Sequence, residues 1–348
     1  MFIFHIIYTA GTVSALQIFV FSLLQWSTCR FRLVANGCSK SELKLLRQLC
    51  LEHARLELCV LPFDQTVPHD RALSYLQTLE QSDYFCFMDS DIIASGDFLT
   101  GVIPYLDQHD AFFSCSSLWC KGEDQVLPNS YLSMDGRYNQ TDAGVCLGST
   151  YFAVYDNRML TQFIKATQID FKRYYWAEIP PSIQSHLVQM RLDKAYYDTG
   201  KLLNLLLLSE GRSLIFREIP TLHHIGGISI THKKSIPQPI LKKLRVQFWR
   251  WREQLKKSMQ LLVTRIDSKQ LRFGFTQPEW EARQIVLHRK AVVARYFSNL
   301  LQSLVDNQPL PSPPRLCDTE VEAKVSLVSS MIIRLHRSVY HNQICVRE

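Results

Sequence analysis

Four short apolar runs, at residues 2–8, 29–35, 56–61 and 84–88, alternate with longer stretches of helical spacing over about the first ninety residues. Apolar runs of this length suit strands buried on both faces, as in parallel sheets. Between them, one helix is predicted from a cap at Thr12 to about Gln25. A second starts at Ser39 with Leu43, Leu46 and Leu51 in helical register, and a third spans about 68–81 with Ala72, Leu73, Leu76 and Leu79 inward. This alternation predicts an α/β fold with a doubly wound, mostly parallel sheet.

The fourth run stops abruptly at Asp89-Ser90-Asp91. Aspartates two positions apart are common in turns, and Asp91 or Ser95 serves equally well as a helix cap. Position is what gives this pair meaning, because ligands of open α/β sheets bind outside the carboxyl ends of the strands. Carboxylate oxygens there suit a hard divalent cation carrying a diphosphate. The turn Thr9 to Gly11 after the first run, and Asn36-Gly37 after the second, reach the same edge. Asn-Gly is equally a common turn pair. His69 either faces the same pocket or simply occupies the first turn of its helix.

With 348 residues, 47% hydrophobic and 20% charged, the chain has material for one catalytic domain and an appendage. The net charge of +7 favours an anionic partner, a nucleoside diphosphate or a membrane surface, and no nucleic-acid motif accompanies it. Ten cysteines without CxxC or paired His/Cys spacing read as buried free thiols of a reducing cytoplasm. Residues 1–26 lack a basic start and are interrupted by His5, Thr9, Gly11, Thr12, Ser14 and Gln17. They predict strand, turn and helix in place of a signal peptide or membrane span.

A helix over about 96–108, strands at 111–116 and 144–155, and a helix after about 156 continue the pattern. Residues 118–143 carry Gly, Pro, Asn and Asp without a period and are expected to fold over an acceptor. Gly148, Ser149 and Thr150 either admit a sugar ring close to the backbone or make a bulge. Asp198 is placed to cap a leucine-rich helix, with Gly211 at its C′ position and a strand at 214–219 beyond. In His223-His224-Ile225-Gly226-Gly227, an imidazole able to ligate a transition metal precedes two residues that let the chain turn back.

The composition changes at His232. Residues 233–257 cluster Lys and Arg around Phe248, Trp249 and Trp251, with Glu253 the single acid. This is the pattern of a helix on an anionic membrane surface, or of a solvated helix packed by its aromatic side. The expected division is a catalytic domain at 1–231 and a basic, mainly helical C-terminal extension at 232–348. Helices near 279–304 and 320–340 flank a proline-rich linker at 309–314.

In its order of elements over residues 1–229, its Asp89-Ser90-Asp91 and its His224-Ile225-Gly226-Gly227, the chain resembles nucleotide-sugar glycosyltransferases of the A-type fold, especially the glycosyltransferase family two group. The resemblance implies a manganese or magnesium ion held by Asp89, Asp91 and His224, with His223 packed or hydrogen-bonded behind. It implies a nucleotide diphosphate sugar as donor, with Thr9, Asn36, Asp89 and Ser90 around the nucleotide. The acceptor it implies is a hydroxyl on a glycan or lipid-linked glycan, and the enzyme a cytoplasmic hexosyltransferase, peripheral to a membrane if residues 233–257 bind one.

It further implies Asp198 as catalytic base of an inverting transfer. The family usually carries an acidic pair there, whereas Tyr197 precedes Asp198 in this chain, and a retaining transfer on the same fold is the alternative. A nucleotidyltransferase would show a Gly-rich, basic loop after the first strand, and Thr9-Ala10-Gly11 has no basic residue. A non-catalytic, membrane-associated scaffold of the same fold is the alternative from another class.

Overall fold

The computed structural model describes residues 2–114, 116–121, 133–134, 147, 151–229, 231 and 277–345. The four apolar runs form β1 (Ile3–Thr9), β2 (Arg30–Asn36), β3 (Leu56–Val60) and β4 (Tyr84–Asp89), each close to its expected bounds. They pair in parallel in the order β3-β2-β1-β4, with Thr9 opposite Asn36 and Ile7 opposite Asp89. Successive side chains enter opposite layers. Phe4, Ile6 and Tyr8 of β1 join one apolar cluster, and Ile7 joins another with Phe85 and Phe87 of β4.

Helices cover both faces. α1 (Val13–Leu16), α2 (Phe19–Gln25) and α3 (Lys40–Glu52) bury Val13, Leu16, Phe19 and Leu46 on the first face, and α4 (His69–Leu79) buries Ala72, Leu73 and Leu76 on the second. Ser39 caps α3 in a capping box with Glu42, whose Oε1 also accepts the Gly11 N–H at 2.7 Å and so fixes the turn after β1. The helix expected from a Thr12 cap is instead two short pieces. The Thr12 hydroxyl turns back to the Thr9 carbonyl at 2.7 Å, so no side chain caps α1. Leu51 is exposed, because it lies about 140° around the helix from Leu46, and Leu79 in the last turn of α4 is also exposed.

β4 leads directly into β5 (Ile92–Ala94). The helix expected over 96–108 is a 3₁₀ turn at Leu99–Gly101 followed by α5 (Ile103–Leu106), with Pro104 in its first turn, where the missing N–H is tolerated. β6 (Ala111–Phe113) and β7 (Ser133–Met134) follow, then β8 (Phe152–Asp156), which runs antiparallel between β4 and β6. Asp156 caps α6 (Asn157–Thr167) by accepting the Met159 N–H at 2.8 Å. Next come β9 (Tyr174–Tyr175), α7 (Pro181–Gln189), β10 (Tyr196–Tyr197) and α8 (Lys201–Ser209), whose leucines are buried nearly all round. β11 (Leu214–Phe216) completes the seven-stranded sheet parallel to β6, in the order β11-β6-β8-β4-β1-β2-β3. The sheet is therefore mostly parallel, with β8 the one reversed strand.

Two small ribbons sit beside it. β12 (Leu222–His224) pairs antiparallel with β5, and β10 lies between β7 and β9. The last described elements are α9 (Gln277–Val305) and α10 (Thr319–Cys345). Val293, Phe297 and Leu300 of α9 and Val325, Val328 and Ile332 of α10 belong to the same apolar cluster as Phe4 and Leu16, so these helices complete the first face. Among the described residues, no helix is long and apolar enough to cross a membrane. The seven cysteines with described side chains are free thiols; Cys29, Cys86 and Cys120 are buried, Cys38, Cys50 and Cys59 half-buried, and Cys317 is exposed rather than buried. Residues 233–257, Gly148, Ser149, Thr150 and most of 118–143 lie outside the described residues.

Candidate metal and nucleotide site

The strand order reverses between β1 and β4. The chain leaves β1 toward β2 and β3 on one side and returns to β4 on the other, so the loops after β1 and β4 diverge around a crevice at the carboxyl edge. Asp89 ends β4 at that crevice. The chain then passes through Ser90 and Asp91 into β5, and the pairing of β5 with β12 sets Ile92 opposite His224. This ribbon carries the histidine onto the aspartates: His224 Nε2 lies 3.3 Å from Asp89 Oδ2 and 3.3 Å from Asp91 Oδ1.

The backbone locks the arrangement. The His224 N–H donates to the Ser116 carbonyl at 2.9 Å, its carbonyl accepts from Leu118 N–H at 3.0 Å, and its ring centroid is 4.3 Å from that of Tyr151. The N–H of Ile225 donates to the Asp91 carbonyl at 3.1 Å, and that of Ile228 to Asp91 Oδ2 at 3.4 Å. Between them Gly226 adopts φ +75°, and a Cβ there would lie 3.0 Å from Trp119 Nε1 and 3.2 Å from His224 Cε1. Only glycine satisfies both the dihedral and the space.

Asp91 is buried, which works against its charge. The neighbouring His224 charge and hydrogen bonds outweigh that burial and hold its carboxyl below the ordinary carboxylate value. His223 points to the other side of β12, where Nε2 lies 2.9 Å from Ser95 Oγ. Burial, with the Lys324 charge adding to it, pushes His223 down to about 4 and keeps it neutral. The ligand atoms of Asp89, Asp91 and His224 lie within 4.8 Å of one another, the one such cluster among the described residues. Two carboxylates and an imidazole fit manganese or magnesium, so the residues present fit the ion the sequence implies.

Thr9 ends β1 on the same crevice, and its Oγ1 is buried with no hydrogen-bond partner among the described residues. Ser90 is half-buried in the turn between the two aspartates. Asn36 differs from expectation. Its amide is fully buried and bonded at both ends to Val67, Nδ2 to the carbonyl and Oδ1 to the N–H, each at 2.9 Å. It holds the loop between β3 and α4 against the crevice, and its polar atoms are engaged by that loop rather than free for a ribose.

His69 faces the site, with Nε2 3.7 Å from Asp89 Oδ1, which resolves the two readings the sequence leaves open. Its neighbour Asp70 is buried and accepts from Arg173 through the backbone N–H at 3.0 Å and Nε at 3.3 Å. Burial opposes the Arg173 charge, but Asp70, Tyr196 and Asp198 together raise its pKa. Asp198 thereby joins a string of polar groups that runs from Asp89 through His69, Asp70 and Arg173.

Asp198 does not cap α8. The N-cap is Gly200, at φ +70°, and Asp198 Oδ1 accepts instead from Thr199 N–H at 2.9 Å and Tyr196 Oη at 3.1 Å. Its Oδ2 has no hydrogen-bond partner among the described residues. Nothing local in the chain signals Asp70 and Arg173, because their proximity depends on α4 and the segment leading into β9 meeting across the fold.

No family model matches the chain, and no curated protein matches its sequence. Among solved structures it is similar to the mannosyltransferase PcManGT from Pyrobaculum calidifontis in complex with GDP-Man and Mn2+. That match has 10% identity and a TM-score of 0.41, and covers 97% of this chain and 82% of that one. It is similar to S. aureus TarS 1-349 in complex with UDP-GlcNAc at 12% identity and a TM-score of 0.40, over 88% of this chain and 93% of that one. A third, 4-diphosphocytidyl-2C-methyl-D-erythritol synthase from Anaerococcus prevotii, has 10% identity and a TM-score of 0.37, over 62% of this chain and 88% of that one.

Proposed function

We propose that the chain is a divalent-cation-dependent glycosyltransferase, moving one hexose from a nucleoside diphosphate sugar to a hydroxyl acceptor. The observation that carries this reading is the convergence of Asp89, Asp91 and His224 at the switch point of the sheet. A manganese or magnesium ion bound to these three side chains would supply positive charge to the diphosphate of the leaving nucleotide. Thr9 Oγ1 would donate to the nucleotide from the end of β1, and Ser90 would line the turn beneath it.

Asp198 has the attributes of a general base. Tyr196 and Thr199 fix its Oδ1, and Oδ2 is left to accept the proton of the acceptor hydroxyl. The hydroxyl oxygen then forms its bond to the anomeric carbon on the face opposite the nucleotide, while the bond from that carbon to the diphosphate oxygen breaks and its electron pair leaves with the diphosphate. The product has inverted configuration. A glycan or lipid-linked glycan is the acceptor class we propose, with residues 233–257 as the membrane-facing segment.

A thermal-shift series with UDP-, GDP-, ADP-, CDP- and dTDP-sugars, each in Mn2+ and in EDTA, tests the reading. A ligand at about a hundred times its Kd adds about 2.7 kcal/mol to the native state. One donor class should raise the melting temperature in Mn2+ and lose the effect in EDTA. Equal shifts in the two conditions, or none with any donor, would contradict it.

A further inference from the structure

We propose that Lys290 of α9 is a further donor-site residue, whose ammonium contacts the diphosphate of a nucleotide held at Asp89, Asp91 and His224. The proposal rests on the glycosyltransferase reading and adds a contact from outside the catalytic domain that the sequence predicts.

The contact surface is the glycine pair. A Cβ on Gly227 would lie 3.7 Å from Ala294 Cβ and 3.8 Å from Lys290 Cε, so one face of α9, at positions i and i+4, packs on the segment that follows His224. The Lys290 ammonium lies 5.0 Å from the centroid of the Trp119 ring. Trp119 Nε1 and His224 Cε1 both crowd the same point beside Gly226, at 3.0 and 3.2 Å. Trp119 thus stands beside both the Lys290 ammonium and, across Gly226, the His224 ring of the acidic cluster.

Three other cations of this region, among the described residues, are matched with carboxylates. Lys121 and Arg289 meet Asp318 at 2.8 and 3.2 Å, and Lys324 meets Glu320 at 2.6 Å. Lys290 has no carboxylate within 4.0 Å among the described residues. Its stem rests on Gly227 and its charge on an aromatic face, which aims a half-buried cation without neutralising it. The site has a use for such a charge. Two carboxylates cancel the charge of a divalent ion, so a diphosphate would meet a centre with no net charge, and an added ammonium would attract it and favour its departure.

Mn2+ and inorganic pyrophosphate are probes that need no knowledge of the nucleotide. Mn2+ binding, followed by electron paramagnetic resonance, should be equal in the parent, Lys290→Met and Lys290→Gln, since Lys290 is not a ligand. Calorimetric titration of pyrophosphate into the Mn2+-loaded proteins should show about a ten- to hundredfold weaker affinity for both variants, with Lys290→Arg restoring most of it. Matching thermal melts establish that the variants are folded. Pyrophosphate affinity equal to the parent in both variants, or Mn2+ binding lost with Lys290, would overturn the assignment of Lys290. A parent that binds no Mn2+ would overturn the metal reading beneath it.

Discussion

His224 Nε2 lies 3.3 Å from Asp91 Oδ1, brought there by the pairing of β12 with β5 and held by the Ile225 and Ile228 N–H groups on Asp91. Both side chains are buried, so neither is a surface charge that happens to lie near the other. Replacing either with alanine should weaken Mn2+ binding by more than about a hundredfold, since outer partners of a metal ligand alone are worth ten- to hundredfold. Mn2+ titration followed by electron paramagnetic resonance checks this, and parental affinity in Asp91→Ala would remove it from the ligand set.

Gly226 makes that closeness feasible. Alanine there meets an unfavourable φ of +75° together with Trp119 and His224 at 3.0 and 3.2 Å. Gly226→Ala should lose about 1–3 kcal/mol of stability in urea denaturation and bind Mn2+ more weakly. Gly211, at φ +79° with open space around it, should lose only the dihedral share on the same substitution.

Asp198→Asn separates chemistry from structure, because Gly200 and not Asp198 is the N-cap of α8. Stability should change by no more than about 0.5 kcal/mol, while turnover falls by about two to four orders of magnitude. Donor binding should persist. Near-parental turnover in steady-state kinetics would assign the base elsewhere and reopen a retaining transfer.

Away from the site, His5 Nε2 lies 2.8 Å from Glu80 Oε2, and Arg32 Nη1 is 3.1 Å from the same oxygen. Burial opposes the Glu80 charge, but hydrogen bonds from His5 and Ser82 outweigh it and hold the pKa well below its ordinary 4.5. A carboxyl lowered in this way contributes stability that is complete above its unfolded pKa and is lost as pH falls through the lower folded value. Glu80→Gln should therefore cost about 3 kcal/mol at pH 7. The gap between parent and variant should narrow as denaturation is repeated from pH 5 down to pH 3, and a gap independent of pH would contradict the ion pair.

The sequence made β1 to β4 legible because buried parallel strands read as short continuous apolar runs, and Ser39 marked the start of α3. The reversed sense of β8 was hidden for the same reason, since a strand buried on both faces has the same apolar pattern in either direction. Asp89 and Asp91 were readable from their place after β4. Their contact with His224 is a matter of ribbon pairing, which motif order suggested and only the fold displays. Asp198 was misread as a cap because Asp198-Thr199-Gly200 does not reveal which residue takes the left-handed turn. His69 remained ambiguous, and the Asp70–Arg173 pair invisible, because tertiary packing sets both. Helices near 279–304 and 320–340 were legible, but nothing local told that Val293 and Phe297 would cover the sheet beside Leu16.

Transfer from a nucleoside diphosphate sugar requires, on the proposed mechanism, that Asp89, Asp91 and His224 hold a cation. The decisive measurement is release of nucleoside diphosphate from the five donor classes, without acceptor, compared in Mn2+ and EDTA for the parent and Asp91→Ala. Slow release from one donor class by the parent in Mn2+, abolished by EDTA and by the substitution, is expected. No release from any donor, or release equal in EDTA and in Asp91→Ala, would contradict it.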